Sequence, residues 1–196
     1  MPEIQISLAM ASRKRKFPMI KSVTKAAIVG LIMSASAAQA ENVEIYLLDM
    51  LDNTQAGYCI DIAKGKEEAA NPDDGLQGHT CYSPGGALGF DQVFDTEQFA
   101  DGVLYMVNFD VCAQASSTEA GSLLELAACD GSEAQSFVFS GQGTITPASA
   151  PDMCMTVAES TRSGRSDANQ IKVLSLELCS DNQAAYQMWG VRSSLE

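Results

Sequence analysis

The sequence predicts an all-β domain made of three copies of one unit, each stapled by its own disulfide. Three observations carry that prediction. All six cysteines, Cys59, Cys81, Cys112, Cys129, Cys154 and Cys179, lie after residue 40, and an even count in an exported chain indicates a disulfide framework. Aligned on those cysteines, the chain repeats three times. Between clusters of Gly, Ser, Asn, Asp and Pro, short segments alternate apolar and polar residues, and no long stretch keeps helical spacing.

The first forty residues read as a signal peptide. Arg13, Lys14, Arg15, Lys16, Lys21 and Lys25 form a basic region, "AAIVGLIM" (residues 26–33) a short apolar core, and Ala38-Gln39-Ala40 a small-x-small cleavage site. Spanning a bilayer takes roughly 20 apolar residues, far more than this core supplies. An uncleaved anchor or buried helix is the alternative, and Met10 or Met19 offers an alternative start. The reading places the protein outside the cytoplasm, secreted or periplasmic, and leaves residues 41–196 as one domain with repeats at about 41–94, 95–137 and 138–196. That body carries six basic against 24 acidic residues, a net charge of −18. Such a charge argues against nucleic acid or an anionic membrane as partner.

Each unit has the same parts in order. The first runs "GYCIDIA", "GLQGHTC", "DQVF"; the second "FDVCAQA", "GSLLELAAC", "AQSFVF"; the third "DMCMTVA", "QIKVLSLELC", "YQMW". A Cys opens one strand, a second Cys closes the next, and a Gln-x-aromatic triplet follows a turn. "VEIYLLD" (residues 43–49) precedes the first unit. In the connectors, Gly102 and Gly143 predict hairpin turns, and Leu104 and Ile145, two residues on, predict inward side chains. Three equal units predict local pairing, Cys59–Cys81, Cys112–Cys129 and Cys154–Cys179. Each bridge closes a loop of about 17 to 25 residues, worth roughly 3 kcal/mol in the chain-entropy account. Zinc or redox chemistry has no support, since no CxxC occurs and His79 is the lone histidine.

The three cysteine pairs, the three Gln-x-aromatic triplets and the "GQGTI" turn resemble the ricin B-type lectins, a β-trefoil family. The resemblance spans residues 41–196 and implies a six-stranded barrel capped by three hairpins, with pseudo-threefold symmetry. It implies that Phe94, Phe137 and Trp189 pack in the core while the triplet Gln ties backbone. Phe stands where the family has Trp in two of the triplets, so these units are divergent.

Sugar-binding repeats of the family carry an Asp two residues after the first Cys. They also carry a polar residue four before the second Cys, an aromatic two before it, and an Asn ahead of the triplet Gln. The first unit offers Asp61, Gln77, His79 and Asp91 there, followed by Gln92. The second offers Gln114, Glu125, Ala127 and Ala134, the third Thr156, Ser175, Glu177 and Tyr186. An acceptor, an amide and a ring meet only in the first unit. A carboxylate accepts from two sugar hydroxyls, an amide both donates and accepts, and a ring covers the C–H face of a pyranose. A single shallow site of this kind binds at about 0.1–10 mM, or about −3 to −5 kcal/mol.

The first unit also departs from the pattern. His is a smaller platform than Trp, and Asp91 replaces the Asn. Two carboxylates near one space raise one pKa or attract a cation, which leaves room for a calcium-assisted or different ligand; no other cofactor is expected. The plainer readings are a half-buried His79 and a turn-capping Asp61. Tyr58, Tyr82 and Tyr105 read as packed rings, with a widened sugar platform as the alternative. "NPDDG" (residues 71–75) reads as a turn. No catalytic motif occurs: there is no GxSxG, phosphate loop or dinucleotide fingerprint, so the chain is not read as an enzyme. The leading expectation is an exported carbohydrate-binding module whose partner is a glycan or glycoconjugate. The alternatives are a trefoil serving as a structural or protein-interaction module, and an accessory to a separate hydrolase.

Overall fold

The computed structural model describes residues 41–193; the expected signal peptide lies outside the described residues. The first repeat holds β1 (Asn42–Leu47), β2 (Tyr58–Ile62), β3 (Leu76–Thr80) and β4 (Val93–Asp95). The second holds β5 (Tyr105–Met106), β6 (Val111–Ala115), β7 (Leu124–Ala127) and β8 (Phe137–Val138). The third holds β9 (Gln142–Gly143), β10 (Thr146–Pro147), β11 (Met153–Val157), β12 (Arg162–Ser163), β13 (Gln170–Leu178) and β14 (Trp189–Arg192). Among the described residues helix is limited to single 3-10 turns, a six-residue 3-10 stretch and the four-residue Ala184–Gln187. The architecture is an all-β trefoil.

Two kinds of pairing build it. Pairs between connector and triplet strands close the barrel: β1 runs antiparallel to both β4 and β14, with Val43 opposite Phe94 and Ile45 opposite Val191, and β8 pairs with β10. Local pairs form three hairpins, β2–β3, β6–β7 and β11–β13. Each hairpin is clipped by its own disulfide, Cys59–Cys81, Cys112–Cys129 and Cys154–Cys179. The core gathers one set of side chains from each repeat: Ile45, Leu104 and Ile145 from the connectors, and Phe94, Phe137 and Trp189 from the triplets, all buried. Trp189 satisfies its indole N–H on the Met155 carbonyl at 2.9 Å.

The connector glycines act differently from the expected hairpin turns. Gly102 ends the 3-10 stretch Thr96–Asp101 in the left-handed conformation, its N–H bonded to the Gln98 and Phe99 carbonyls. Gly143 lies within β9 opposite Trp189. The inward apolar residue follows either way, because both glycines let the chain bend into the barrel.

Two buried charges join distant parts of the chain. Glu44 on β1 is fully buried and meets Arg192 on β14, its register partner, and the Ser83 hydroxyl. Arg192 also lies 4.4 Å from the Tyr46 ring centre. Lys172 on β13 is buried; its ammonium donates to the Glu159 carbonyl at 2.8 Å, lies 3.3 Å from Asp52 and sits over the Tyr58 ring. Among the described residues no helix is long and apolar enough to cross a membrane.

Candidate functional site

The three hairpins share one register, so equivalent residues meet equivalent partners. The residue two after the first Cys faces the residue four before the second: Asp61 opposite Gln77, Gln114 opposite Glu125, Thr156 opposite Ser175. The first Cys itself faces His79, Ala127 or Glu177. Strand residues two apart share a face, which puts Gln77 and His79 side by side. The triplet Gln spans the second Cys in every repeat. Gln92 accepts from the Tyr82 N–H and donates to the Thr80 carbonyl, Gln135 does so with Asp130 and Ala128, and Gln187 with Ser180 and Leu178. The motif is therefore a backbone clamp that fixes where the second cysteine strand ends.

In the first repeat this clamp supports a buried polar floor. Asp61 is 2% exposed. Its Oδ1 accepts from the Gln77 amide at 2.8 Å and its Oδ2 from the Gln92 amide at 3.0 Å. Both Gln92 amide hydrogens are thus committed inside the protein. Burial pushes the Asp61 pKa well up; nearby Asp91 adds to the rise and the two amides oppose it. Asp91 is also buried and points elsewhere: its Oδ2 accepts from the Glu67 N–H at 2.8 Å, while the Glu67 carboxylate accepts from the Phe90 N–H at 2.8 Å. This reciprocal clasp holds the loop carrying Lys64 and Lys66. Burial raises the Asp91 pKa as well.

Above the floor lies an open cleft of about 440 Å³, lined by Gln77, His79, Tyr82 and basic residues of the loop after β2 and of β12 and the turn that follows it. The His79 and Tyr82 rings tilt at 41° with centres 5.6 Å apart. Burial pushes the His79 pKa down and Arg162 adds to this, while the hydrogen bond to the Thr80 carbonyl opposes them; the net shift is downward. Its Nδ1 lies 3.0 Å from the Thr80 carbonyl, which can only accept, so Nδ1 carries the proton and Nε2 remains an acceptor. The Gln77 side-chain oxygen accepts from Arg162 at 3.2 Å. The cleft is thus lined by an anchored amide, an imidazole and a phenol, with Gln77 and His79 themselves buried.

The sequence matches the model of the Ricin-type beta-trefoil lectin domain over residues 49–189. The chain belongs to this family. No curated protein matches it in sequence. Among solved structures, a mutant of the earthworm lectin C-terminal domain in complex with 6'-sialyllactose aligns with a TM-score of 0.50 at 20% identity, over 78% of this chain and 98% of that one. The agglutinin from Abrus precatorius gives 0.48 at 19%, over 78% and 46%. A non-toxic homologue of type II RIPs from Momordica charantia, in complex with α-methyl-D-galactoside, gives 0.48 at 22%, over 78% and 48%.

Within this ricin-type trefoil the other two repeats offer less. In the second, Gln114 and Ser116 both donate to Glu125, and Ala127 stands where a ring is needed. In the third, Ser175 donates to Glu177, and Tyr186 lines a smaller hollow of about 220 Å³. Cysteine register found Asp61, Gln77 and His79, which the fold brings together. Gln92 shares their network from beneath, whereas Asp91 serves the neighbouring loop. Tyr82, which the sequence reads as a packed ring or a widened platform, lines the cleft beside His79. Arg162, Arg165, Lys64 and Lys66 were missed, since no motif marks them and the arginines arrive from the third repeat. Tyr58 is fully buried, and Tyr105 donates to Asp110 away from the cleft. The segment at residues 71–75 forms a 3-10 turn capped by Asn71. The one grouping of three possible metal ligands among the described residues is Glu44, Cys59 and Cys81, and its two sulfurs are bonded to each other.

Proposed function

We propose that this chain is an exported carbohydrate-binding module whose sugar site is the cleft over the first repeat. Gln77 and His79 contact the sugar: the amide orients hydroxyls, and His79 with Tyr82 covers a C–H face while Nε2 accepts. Asp61 and Gln92 act from below by fixing Gln77, and Asp91 acts by holding the adjoining loop. The observation that carries this reading is that an anchored amide and two rings open onto one hollow in the first repeat and in neither other repeat.

A glycan array followed by NMR titration tests it. Chemical-shift changes are expected at residues 58–62, 76–82 and 162–165, and Gln77→Ala is expected to weaken binding about tenfold, one lost hydrogen bond to ligand. Binding is expected to persist in EDTA, because Asp61 and Asp91 already commit oxygens to Gln77, Gln92 and the Glu67 N–H; loss of binding in EDTA would assign a calcium-assisted site instead. An array without a single bound glycan, with calcium present or absent, overturns the proposal. One observation favours a second reading, a trefoil used as a structural or protein-interaction module: both Asp61 oxygens accept from internal amides. That reading expects Gln77→Ala to leave function intact.

A further inference from the structure

The body of this protein is acidic, yet its few cations are not scattered. Residues 41–193 hold six Lys and Arg. Two are consumed in pairs with one buried member, Lys172 with Asp52 and Arg192 with Glu44. The other four, Lys64, Lys66, Arg162 and Arg165, all line the single cleft that holds Gln77, His79 and Tyr82. Lys64 pairs with Asp74 at 2.8 Å on the exposed outer side. Among the described residues, Lys66, Arg162 and Arg165 have no carboxylate within ion-pair distance; their side chains are exposed.

Two separate devices bring these cations to the cleft. Arg162 and Arg165 belong to the third repeat. They reach the first because β12 folds back on β13, whose start pairs with β3, placing Arg162 opposite Ile171 and Ile171 opposite His79. Lys64 and Lys66 ride on the loop held by the Asp91–Glu67 clasp. The carboxylate beneath the cleft is countered, since both Asp61 oxygens accept from amides, and Asp91 is turned towards the Glu67 loop. A neutral pyranose needs none of these charges, and four cations kept together repel one another. Guanidinium groups beside a ring and an amide suit a carboxylate or sulfate on a sugar, which they hold by charge-assisted hydrogen bonds.

We propose that the first-repeat cleft selects a glycan bearing an acidic group, with Arg162 and Arg165 holding the anion while His79 and Tyr82 cover the sugar face. This rests on the cleft being the sugar site. Lys66, which lines the same cleft, adds to the field.

The test compares three ligands on one core by titration calorimetry at physiological salt: lactose, 6'-sialyllactose and lactose 6'-sulfate. Each is run with the wild-type domain, Arg162→Gln, Arg165→Gln and His79→Ala, with circular dichroism confirming the fold. At least one acidic ligand is expected to bind about tenfold or more tighter than lactose, and each arginine substitution to lose about tenfold for it while changing lactose less than about twofold. Preference for the sialyl or the sulfate arm identifies the anion as carboxylate or sulfate. Equal binding of neutral and acidic ligands, abolished by His79→Ala, overturns the acidic selectivity and leaves the sugar site standing. Acidic preference that survives Arg162→Gln and Arg165→Gln also overturns it, by placing the anion elsewhere. If the array and all three ligands give no binding, both proposals fall together.

Discussion

Gly89 shows how a single residue sets the cleft wall. A Cβ at that position would lie 2.1 Å from Cδ2 of Tyr82, so the ring rests directly on the backbone. Gly89 has an ordinary φ of −68°, and its role is therefore space and not backbone freedom. Gly89→Ala is expected to displace Tyr82 and weaken glycan binding several-fold, with melting temperature changed by only a few degrees; unchanged affinity by titration calorimetry would remove Tyr82 from the site. Asp61 makes a different kind of demand. Burial raises its pKa in the folded state above the unfolded value of about 3.9. The fold then binds the proton more tightly than the unfolded chain does. Asp61 thus favours folding most below about pH 4 and progressively less as pH rises through its folded pKa. Measured by urea unfolding, the stability of the wild type relative to Asp61→Asn is expected to fall from pH 4 to pH 7. A rise over that interval would mean that the two amides, and not burial, dominate.

At the scale of elements, the hairpins were legible in the cysteine spacing because a disulfide fixes register. Once Cys59 is bonded to Cys81, the partners of Asp61 and His79 follow from the antiparallel ladder. What spacing does not encode is whether a side chain on that ladder looks outward. Asp61 and Gln77 read as two ligand groups, and the Gln77 amide donates to Asp61. Nor does spacing reveal a neighbour from another repeat, which is how Arg162 and Arg165 escaped notice. The same holds for the Lys172 latch between β13, β2 and the loop at Asp52, where a buried cation gave no motif. Burial opposes ionisation of Asp52, but hydrogen bonds from Thr161 and Tyr58 and the Lys172 ammonium outweigh it and bring the pKa to about 2. The latch therefore holds above pH 3.8 and is lost as pH falls towards 2. Lys172→Ala is expected to destabilise by about 1–3 kcal/mol, because the abandoned Asp52 is half exposed and regains water. A change within about 0.5 kcal/mol in denaturant unfolding would reduce the latch to an ordinary surface pair.

For the molecule as a whole, threefold construction makes a statement about how stability is distributed. The disulfides close segments with sequence separations of 22, 17 and 25, none reaching into another repeat. Their loop lengths are similar, so each restricts the unfolded chain to a similar degree, about 3 kcal/mol. The contacts that unite the repeats are instead the barrel pairs and the triplet aromatics, with β1 bonded to β14. Trp189→Ala therefore acts on the union, with an expected loss of about 3–5 kcal/mol. Removing one cysteine pair acts on a single repeat. Replacing Cys112 and Cys129 together, or Cys154 and Cys179 together, by Ala is expected to lower stability by about 3 kcal/mol each. The four-residue replacement should lower it by nearly the sum, since well-separated sites add. A typical domain holds about 5–15 kcal/mol in total, so losing all three bridges by reduction is expected to unfold the protein at 37 °C. Equilibrium urea unfolding of the two pairwise variants and the combined variant decides the matter. A combined loss well short of the sum would mean that the unfolded repeats restrain one another, and that the three copies do not behave as separate loops on one shared barrel.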